Sequence, residues 1–92
     1  MKKAIRIIVR GKVQGVWFRA SAKKEADLLG LKGFVMNDPD GSVYMEATGG
    51  EKQLKAFIAW CRQGPPQAAV SSLQVDDVEP GNFQEFKIVS SI

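Results

Sequence analysis

Apolar residues recur at two different spacings along the chain, and each spacing predicts one type of element. Apolar positions at every second residue predict a strand over about residues 3–10, with Ile5, Ile7 and Val9 on one face. Apolar positions three and four apart predict two amphipathic helices. Their stripes are Phe18, Ala22, Ala26 and Leu29 in a first helix over about 20–29, and Leu54, Phe57, Ile58 and Cys61 in a second.

Four further strands are predicted from short β-prone runs between turn residues. They cover about residues 32–37, 42–48, 69–77 and 83–89. Asp38-Pro39-Asp40-Gly41 is a tight-turn sequence, so the strands on either side of it are expected to form a hairpin. The apolar parity changes between Val70 and Leu73, which allows a bulge or bend in the fourth strand.

Glycines and prolines set the expected limits of the helices. Gly30 suits the left-handed position that ends the first helix. Gly49-Gly50 is expected to open the second helix, and Gly64-Pro65-Pro66 to end it.

The order of these elements predicts an α+β fold. Strand, helix, strand, strand, helix, strand is the ferredoxin-like pattern, here with an extra C-terminal strand. We expect an antiparallel sheet with both helices on one face and the other face in water. A right-handed crossover through the first helix makes the first two strands parallel, so their C-terminal ends share one rim. Asn37, which ends the second strand, should therefore lie beside the turn that follows the first.

Composition limits the chemistry that is available. The 92 residues suffice for one domain, over 1–92, and with 45% hydrophobic residues the chain can build a core. Because the chain has no histidine, histidine-dependent nucleophiles and histidine-ligated metals are excluded. The single Cys61 lies on an apolar stripe, which favours core packing in a reducing cytoplasm. No segment has the pattern of a signal peptide or a membrane span, and a net charge of +3 is too small to indicate nucleic acid.

Residues 11–19, GKVQGVWFR, connect the first strand to the first helix. Glycines let the backbone approach a ligand, and the first amides of a helix lack intrahelical partners, so this turn is suited to an oxyanion. Arg19 would add a planar fork that matches two phosphate oxygens. Such turns are often purely structural, however. The pattern alone leaves open that Arg19 pairs with a carboxylate and that Asn37 only tolerates a left-handed strand end.

The stretch GKVQGVWFR resembles the signature of the acylphosphatase family, and LGLKGFVMNDPDGSVYMEATG, residues 29–49, resembles its second signature. Gly64-Pro65 followed by Ala69-Val70, and the closing Phe86-Lys87-Ile88, are also similar to the family, so the resemblance spans nearly the whole chain. It implies a ferredoxin-like fold and a metal-independent hydrolase. Such an enzyme cleaves the carboxyl–phosphate bond of small acyl phosphates to a carboxylate and inorganic phosphate. The family often has tryptophan where Phe34 stands, and the residue at the position of Trp17 varies within the family.

By position in the motifs, the resemblance implies that Arg19 and Asn37 are the catalytic side chains. It implies a phosphate cradle built from the backbone amides of Gln14, Gly15, Val16, Trp17, Phe18 and Arg19. No cofactor, metal, nucleic acid or membrane is expected, and the protein should act as a cytoplasmic monomer on a small-molecule acyl phosphate. Because an acyl phosphate is already a good electrophile, charge stabilisation and a placed water are enough for its hydrolysis.

Two other functions fit the same fold. A nucleic-acid binder would need aromatic residues on the bare face of the sheet, where the third strand offers only Tyr44. A non-catalytic anion-sensing module of a larger protein would use the same loop. A chain of 92 residues with a starting methionine and no linker favours a free-standing enzyme over such a module.

Overall fold

The computed structural model of the protein describes residues 2–90 and has the seven elements in the predicted order. These are β1 Lys2–Lys12, α1 Phe18–Leu28, β2 Lys32–Asn37, β3 Val43–Gly50, α2 Glu51–Gln63, β4 Ala69–Val78 and β5 Phe86–Ile88. Helix α1 begins earlier than predicted, because Trp17 acts as its N-cap and the carbonyl of Trp17 accepts the Ser21 N–H at 3.0 Å. As predicted, Gly30 is left-handed (φ 72°) beyond the end of that helix.

The five strands form one sheet in the order β4-β1-β3-β2-β5. Strand β1 pairs antiparallel with β3 and β4, and β3 pairs antiparallel with β2, so β1 and β2 point in the same direction. Strand β5 adds to β2 in parallel, which makes the sheet mixed rather than antiparallel throughout. The ferredoxin-like class with an extra C-terminal strand is confirmed, and the ends of β1 and β2 share one rim.

Both helices pack on the same face of the sheet and enclose one core. The buried residues of α1 and α2 are Phe18, Ala22, Ala26, Leu54, Phe57 and Cys61. They meet the inward side chains of β1 and β3, namely Ile5, Ile7, Val9, Val43, Met45 and Ala47. Burial raises the pKa of the Cys61 thiol, so this cysteine is a neutral core residue, as its place in the stripe predicted.

The other face of the sheet is partly solvated. Arg6 of β1 donates to the Asp76 carboxylate of β4 at 3.0 Å, and the Tyr44 hydroxyl donates to Glu46 at 3.0 Å. The Phe34 ring stacks on Tyr44 with the ring centroids 5.9 Å apart. This face therefore carries charged pairs beside a small aromatic group, to which β2 contributes as well as β3.

Strand β4 has the bulge that its apolar parity allowed. Arg10 pairs with Ser72 and Gly11 with Val70, which leaves Ser71 as an extra residue in β4. Beyond the bulge the pairing continues to the end of β1, so β1 runs past the predicted limit.

The predicted start of α2 is confirmed, because Gly50 is its N-cap, and Gly49-Gly50 also continues β3, where it pairs with the start of β1. Strand β5 is shorter than the predicted strand over 83–89, because Phe83 leaves the sheet and packs its ring against Phe34 at 5.7 Å. The contact with β2 begins only where the Gly33 N–H donates to the Glu85 carbonyl at 3.0 Å.

Gly33 allows the backbones of β2 and β3 to approach closely. Its φ is 144°, and an added Cβ would overlap the Glu46 carbonyl oxygen. Gly33→Ala is expected to lower the free energy of unfolding by about 3 kcal/mol or more, since backbone strain adds to overpacking. Gly30→Ala is the matched control: its φ is also positive but its surroundings are open, so a cost of about 1–2 kcal/mol is expected. Urea unfolding measures both, and equal losses would contradict the clash.

Candidate active site

The loop between β1 and α1 is fixed to the core by three buried side chains. Val13, Val16 and Phe18 are buried, and the Phe18 ring lies 5.4 Å from that of Trp60. Between these anchors, Gly15 has a φ of 73° with open space around its Cα. Glycine adopts this conformation without strain, so the chain can turn sharply between its two valine anchors. The intervening residues are thereby left toward the rim of the sheet.

Arg19 lies in the first turn of α1, close to where the sequence placed it. This helix start has no side-chain N-cap hydrogen bond and no acidic residue in its first turn. Among residues 2–90, no carboxylate oxygen lies within 4.0 Å of the Arg19 guanidinium. The alternative that Arg19 pairs with a carboxylate at the helix start therefore finds no support in the described chain. An uncapped helix start beside a guanidinium is a positively polarised region.

Asn37 is the last residue of β2 and is half-buried. Its side-chain oxygen Oδ1 is buried and has no hydrogen-bond partner within the described residues. Leaving a buried amide oxygen unpaired costs about 1–3 kcal/mol, and such a group in a folded protein calls for an explanation. A strand end with a purely structural role gives no reason for an unpaired buried oxygen, whereas an oxygen that accepts a hydrogen bond from a water or a ligand would explain it.

Arg19 and Asn37 border the same cavity, which has a volume of about 380 Å³. The residues that line it are Val13, Gly15, Trp17, Phe18, Arg19, Ala20, Asn37 and Ile88. The structure thus brings together side chains from the start of α1 and the end of β2, as the parallel course of β1 and β2 predicted. Gln14 and Val16 of the predicted cradle do not line the cavity. Ile88 lines it and was missed, because the chain order does not reveal that β5 pairs beside β2.

The side chain of Gln14 ties the loop to the turn that follows Asn37. Its Nε2 donates to the carbonyl of Asp38 at 2.8 Å and to that of Ser42 at 2.9 Å. The same turn is closed by the Asp38 N–H, which donates to the Ser42 carbonyl at 2.9 Å. The sequence predicted a role only for the backbone amide of Gln14, and no signal in the sequence pointed to these two hydrogen bonds.

Asp38 and Asp40 shape this turn, as predicted. The Asp40 carboxylate accepts the Ser42 N–H at 2.8 Å and the Ser42 hydroxyl at 2.6 Å, and these bonds lower the pKa of Asp40. The Asp38 carboxylate accepts the Asp40 N–H at 3.1 Å. Ser42 is itself buried, and its hydroxyl is satisfied there by the Asp40 carboxylate.

Metal-ligating side chains do not cluster in the described part of the chain: no three His, Cys, Asp or Glu residues there lie together so as to hold an ion. Between residues 2 and 90 there is also no helix with the length and apolar character needed to cross a membrane.

Comparison with known proteins was consistent at three levels. The family model described as Acylphosphatase matches residues 5–88. The curated acylphosphatase of Methylococcus capsulatus is 45% identical over 91 residues, which cover 98% of this chain and 99% of that protein. The solved acylphosphatase from Coxiella burnetii superposes with a TM-score of 0.93 at 36% identity, covering 96% of this chain and 93% of that one. Full-length HypF in its phosphate- and nucleotide-bound form matches with a TM-score of 0.92 at 36% identity, over 99% of this chain but 12% of that chain.

The fold defines the class: a ferredoxin-like α+β domain with an open cavity where β1 leads into α1. The matches to known proteins narrow this class to one family, and the chain belongs to the acylphosphatase family. It is an enzyme that hydrolyses acyl phosphates to a carboxylate and inorganic phosphate. The resemblance of the two signatures is thereby confirmed.

Proposed function

We propose that the cavity at the start of α1 is the active site. In it, Arg19 and the backbone amides of residues 14–19 hold the phosphoryl group, and Asn37 orients the attacking water. Within that loop, Gly15 and residues 17–19 line the cavity, whereas Gln14 and Val16 do not. One observation carries the proposal: Arg19 and Asn37 come from separate elements yet border one cavity, and the Asn37 Oδ1 is buried without a partner in the described chain.

Charge stabilisation is the task of Arg19 and the loop. In a loose phosphoryl-transfer transition state, negative charge spreads over the three equatorial oxygens. The guanidinium offers a planar fork for two of them, and backbone N–H groups of the loop and of the first helical turn offer further donors. The buried anchors Val13, Val16 and Phe18 hold these donors in place before the substrate arrives. Little reorganisation is then needed during the reaction.

Asn37 positions the nucleophile rather than activating it. Its Oδ1 accepts a hydrogen bond from the water, which is placed in line with the leaving carboxylate. A bond forms between the water oxygen and phosphorus while the bond from phosphorus to the acyl oxygen breaks. An amide is too weak a base to take the proton, so a phosphoryl oxygen of the substrate takes it. The pH–rate profile is then expected to lack a steep limb near neutrality that belongs to an enzyme group.

The proposal includes the conditions under which the enzyme works. It needs no metal or cofactor, its partners are a small acyl phosphate and inorganic phosphate, and it acts as a monomer. A single buried thiol, Cys61, is in keeping with a reducing compartment such as the cytoplasm. Neither nucleic acid nor a membrane takes part in the reaction.

Turnover of benzoyl phosphate, followed by absorbance, tests the proposed site in the wild-type protein. Inorganic phosphate should inhibit competitively, since product and substrate share the phosphoryl subsite. Overnight treatment with EDTA should leave the rate unchanged. A rate that falls with EDTA and returns with a divalent cation would overturn the metal-free site. Phosphate inhibition that is not competitive would place the product elsewhere.

The match to HypF covers 12% of that chain, so a domain of this kind also occurs within a much larger protein. The alternative of a non-catalytic anion-sensing module has no support in the matches to free-standing acylphosphatases, which cover nearly the whole of both chains. Phosphate binding without any turnover would favour it. The nucleic-acid alternative also lacks support. On the open face, the Phe34 ring already packs against both Tyr44 and Phe83, at 5.9 and 5.7 Å, rather than standing free for a base.

Gln14→Leu tests whether the loop and the turn after Asn37 work as one unit. The change removes two hydrogen bonds and leaves the carbonyls of Asp38 and Ser42 without this donor. A loss of about 2 kcal/mol in stability is expected, and a fall in kcat of about tenfold or more because the water is misplaced. Gln74→Leu is the control, since Gln74 lies on β4 and its side chain bonds, within residues 2–90, to Arg10 and Asp76. An unchanged kcat in Gln14→Leu would contradict the coupling.

A further inference from the structure

The backbone of Trp17 has an energetically unfavourable conformation. Its φ is 66°, the one positive value for a non-glycine residue within 2–90. A left-handed conformation costs a bulky residue about 1–3 kcal/mol. The side chain recovers little of this by packing, because it is 75% exposed, and it makes no capping hydrogen bond to α1. Neither the core nor the helix start explains a tryptophan here.

A second exposed apolar side chain lies at the same cavity as Trp17. This is Ile88 of β5, which lines the cavity and is 43% exposed. Among the lining residues of the described chain, only Arg19 is charged and only Asn37 carries an amide. The cavity therefore combines a small polar part with apolar walls. Its volume of about 380 Å³ is in the range of sites that hold whole organic ligands rather than a phosphoryl group alone.

We propose that Trp17 and Ile88 bind the acyl group of the substrate and favour an aromatic acyl group over an acetyl group. This inference rests on the proposed active site. If the loop holds the phosphoryl group and water attacks in line, the leaving carboxylate points away from the water and out of the cradle. The group attached to that carboxylate then passes the exposed side chains at the cavity wall.

An aromatic ring suits this wall better than other acyl groups. The planar indole of Trp17 can stack on a ring in the offset arrangement that aromatic pairs prefer, and Ile88 adds apolar area. An acyl group with its own carboxylate would find no second cation, because Arg19 is engaged by the phosphoryl group. An acetyl group is too short to cover either side chain. Trp17 and Ile88 thus set the substrate preference without taking part in the making or breaking of bonds.

Trp17→Asn is the variant that separates the side chain from the backbone. Asparagine tolerates the left-handed conformation, so the loop is expected to keep its course. The measured quantity is the kcat/KM for benzoyl phosphate divided by that for acetyl phosphate. A general disturbance of the cradle lowers both values and cancels in the ratio. The ratio should fall about tenfold in Trp17→Asn, the low end of the discrimination that one methylene of apolar contact provides in a closed pocket.

Three further variants complete the test. Ile88→Ser should lower the ratio in the same direction, and Trp17→Phe should retain most of it because a ring remains. Leu28→Ala is the control: Leu28 is 74% exposed, much like Trp17, but does not line the cavity, and its ratio should equal that of the wild type. Turnover of both substrates with an unchanged ratio in Trp17→Asn and Ile88→Ser would overturn the inference alone. No turnover of either substrate by the wild type would overturn the proposed site and the inference with it.

Discussion

Replacing Arg19 by lysine is expected to abolish most of the activity, although the charge is kept. An ammonium is a point charge and cannot give two parallel hydrogen bonds to a phosphoryl group, as the planar guanidinium does. The kcat/KM for benzoyl phosphate should fall about a thousandfold or more, the range known for removing an arginine or an oxyanion donor from such transition states. In Arg19→Ala, binding of inorganic phosphate should also be lost, which isothermal titration calorimetry can measure.

Arg62→Lys supplies the matched control for this change. Arg62 lies in the last turn of α2, is exposed and does not line the cavity, so its variant should keep wild-type kinetics. If Arg19→Lys also retained most of the wild-type kcat/KM, the fork geometry would be irrelevant and the proposed cradle would be wrong.

Asn37→Ala should separate catalysis from binding. Its kcat is expected to fall about a hundredfold or more, as for the loss of one preorganised polar group. The inhibition constant of inorganic phosphate should change little, because the phosphoryl group is held by Arg19 and the loop. Asn82→Ala, in the exposed segment before β5, is the control and should leave both quantities unchanged. A large loss of phosphate affinity in Asn37→Ala would assign this residue to binding instead.

The Asn37→Ala variant should also differ from the wild type in stability. The Asn37 Oδ1 forms no hydrogen bond within residues 2–90, so alanine removes a buried unpaired oxygen rather than a contact. The melting temperature of Asn37→Ala should therefore equal or exceed that of the wild type, as is typical where function is kept at the expense of stability. A marked fall in melting temperature would indicate that the side chain is structural.

The sequence predicted the parts of the site that depend on local pattern. The spacing of apolar residues located β1 and α1, and a short β-prone run between turn residues located β2. The topology rule for parallel strands then placed the end of β2 beside the loop that carries Arg19. Only the types and the order of the elements are needed for this placement. The alternation in β1, the helical stripe of α1 and the turn residues around β2 supply both.

The parts that depend on partners distant in the sequence could not be predicted. Ile88 became a lining residue because β5 pairs with β2, and nothing in three residues of strand says which neighbour they choose. The amide of Gln14 bonds two carbonyls whose positions are set by the turn around Asp40. Gly49-Gly50 lies at the start of α2 as predicted, but its pairing with β1, which also makes it the end of β3, could not be predicted.

The parallel addition of β5 also matters for how copies of this molecule behave in a crowded solution. With β3 on one side and β5 paired to residues 33–35 on the other, the middle of β2 offers no open row of backbone donors and acceptors to a foreign chain. The exposed margins fall to β5, which has three residues, and to β4, which is interrupted by the bulge at Ser71. Short or bulged margins are poor templates for aggregation. The part of β2 that leads to Asn37, residues 33–35, is thus shielded from intermolecular β-pairing.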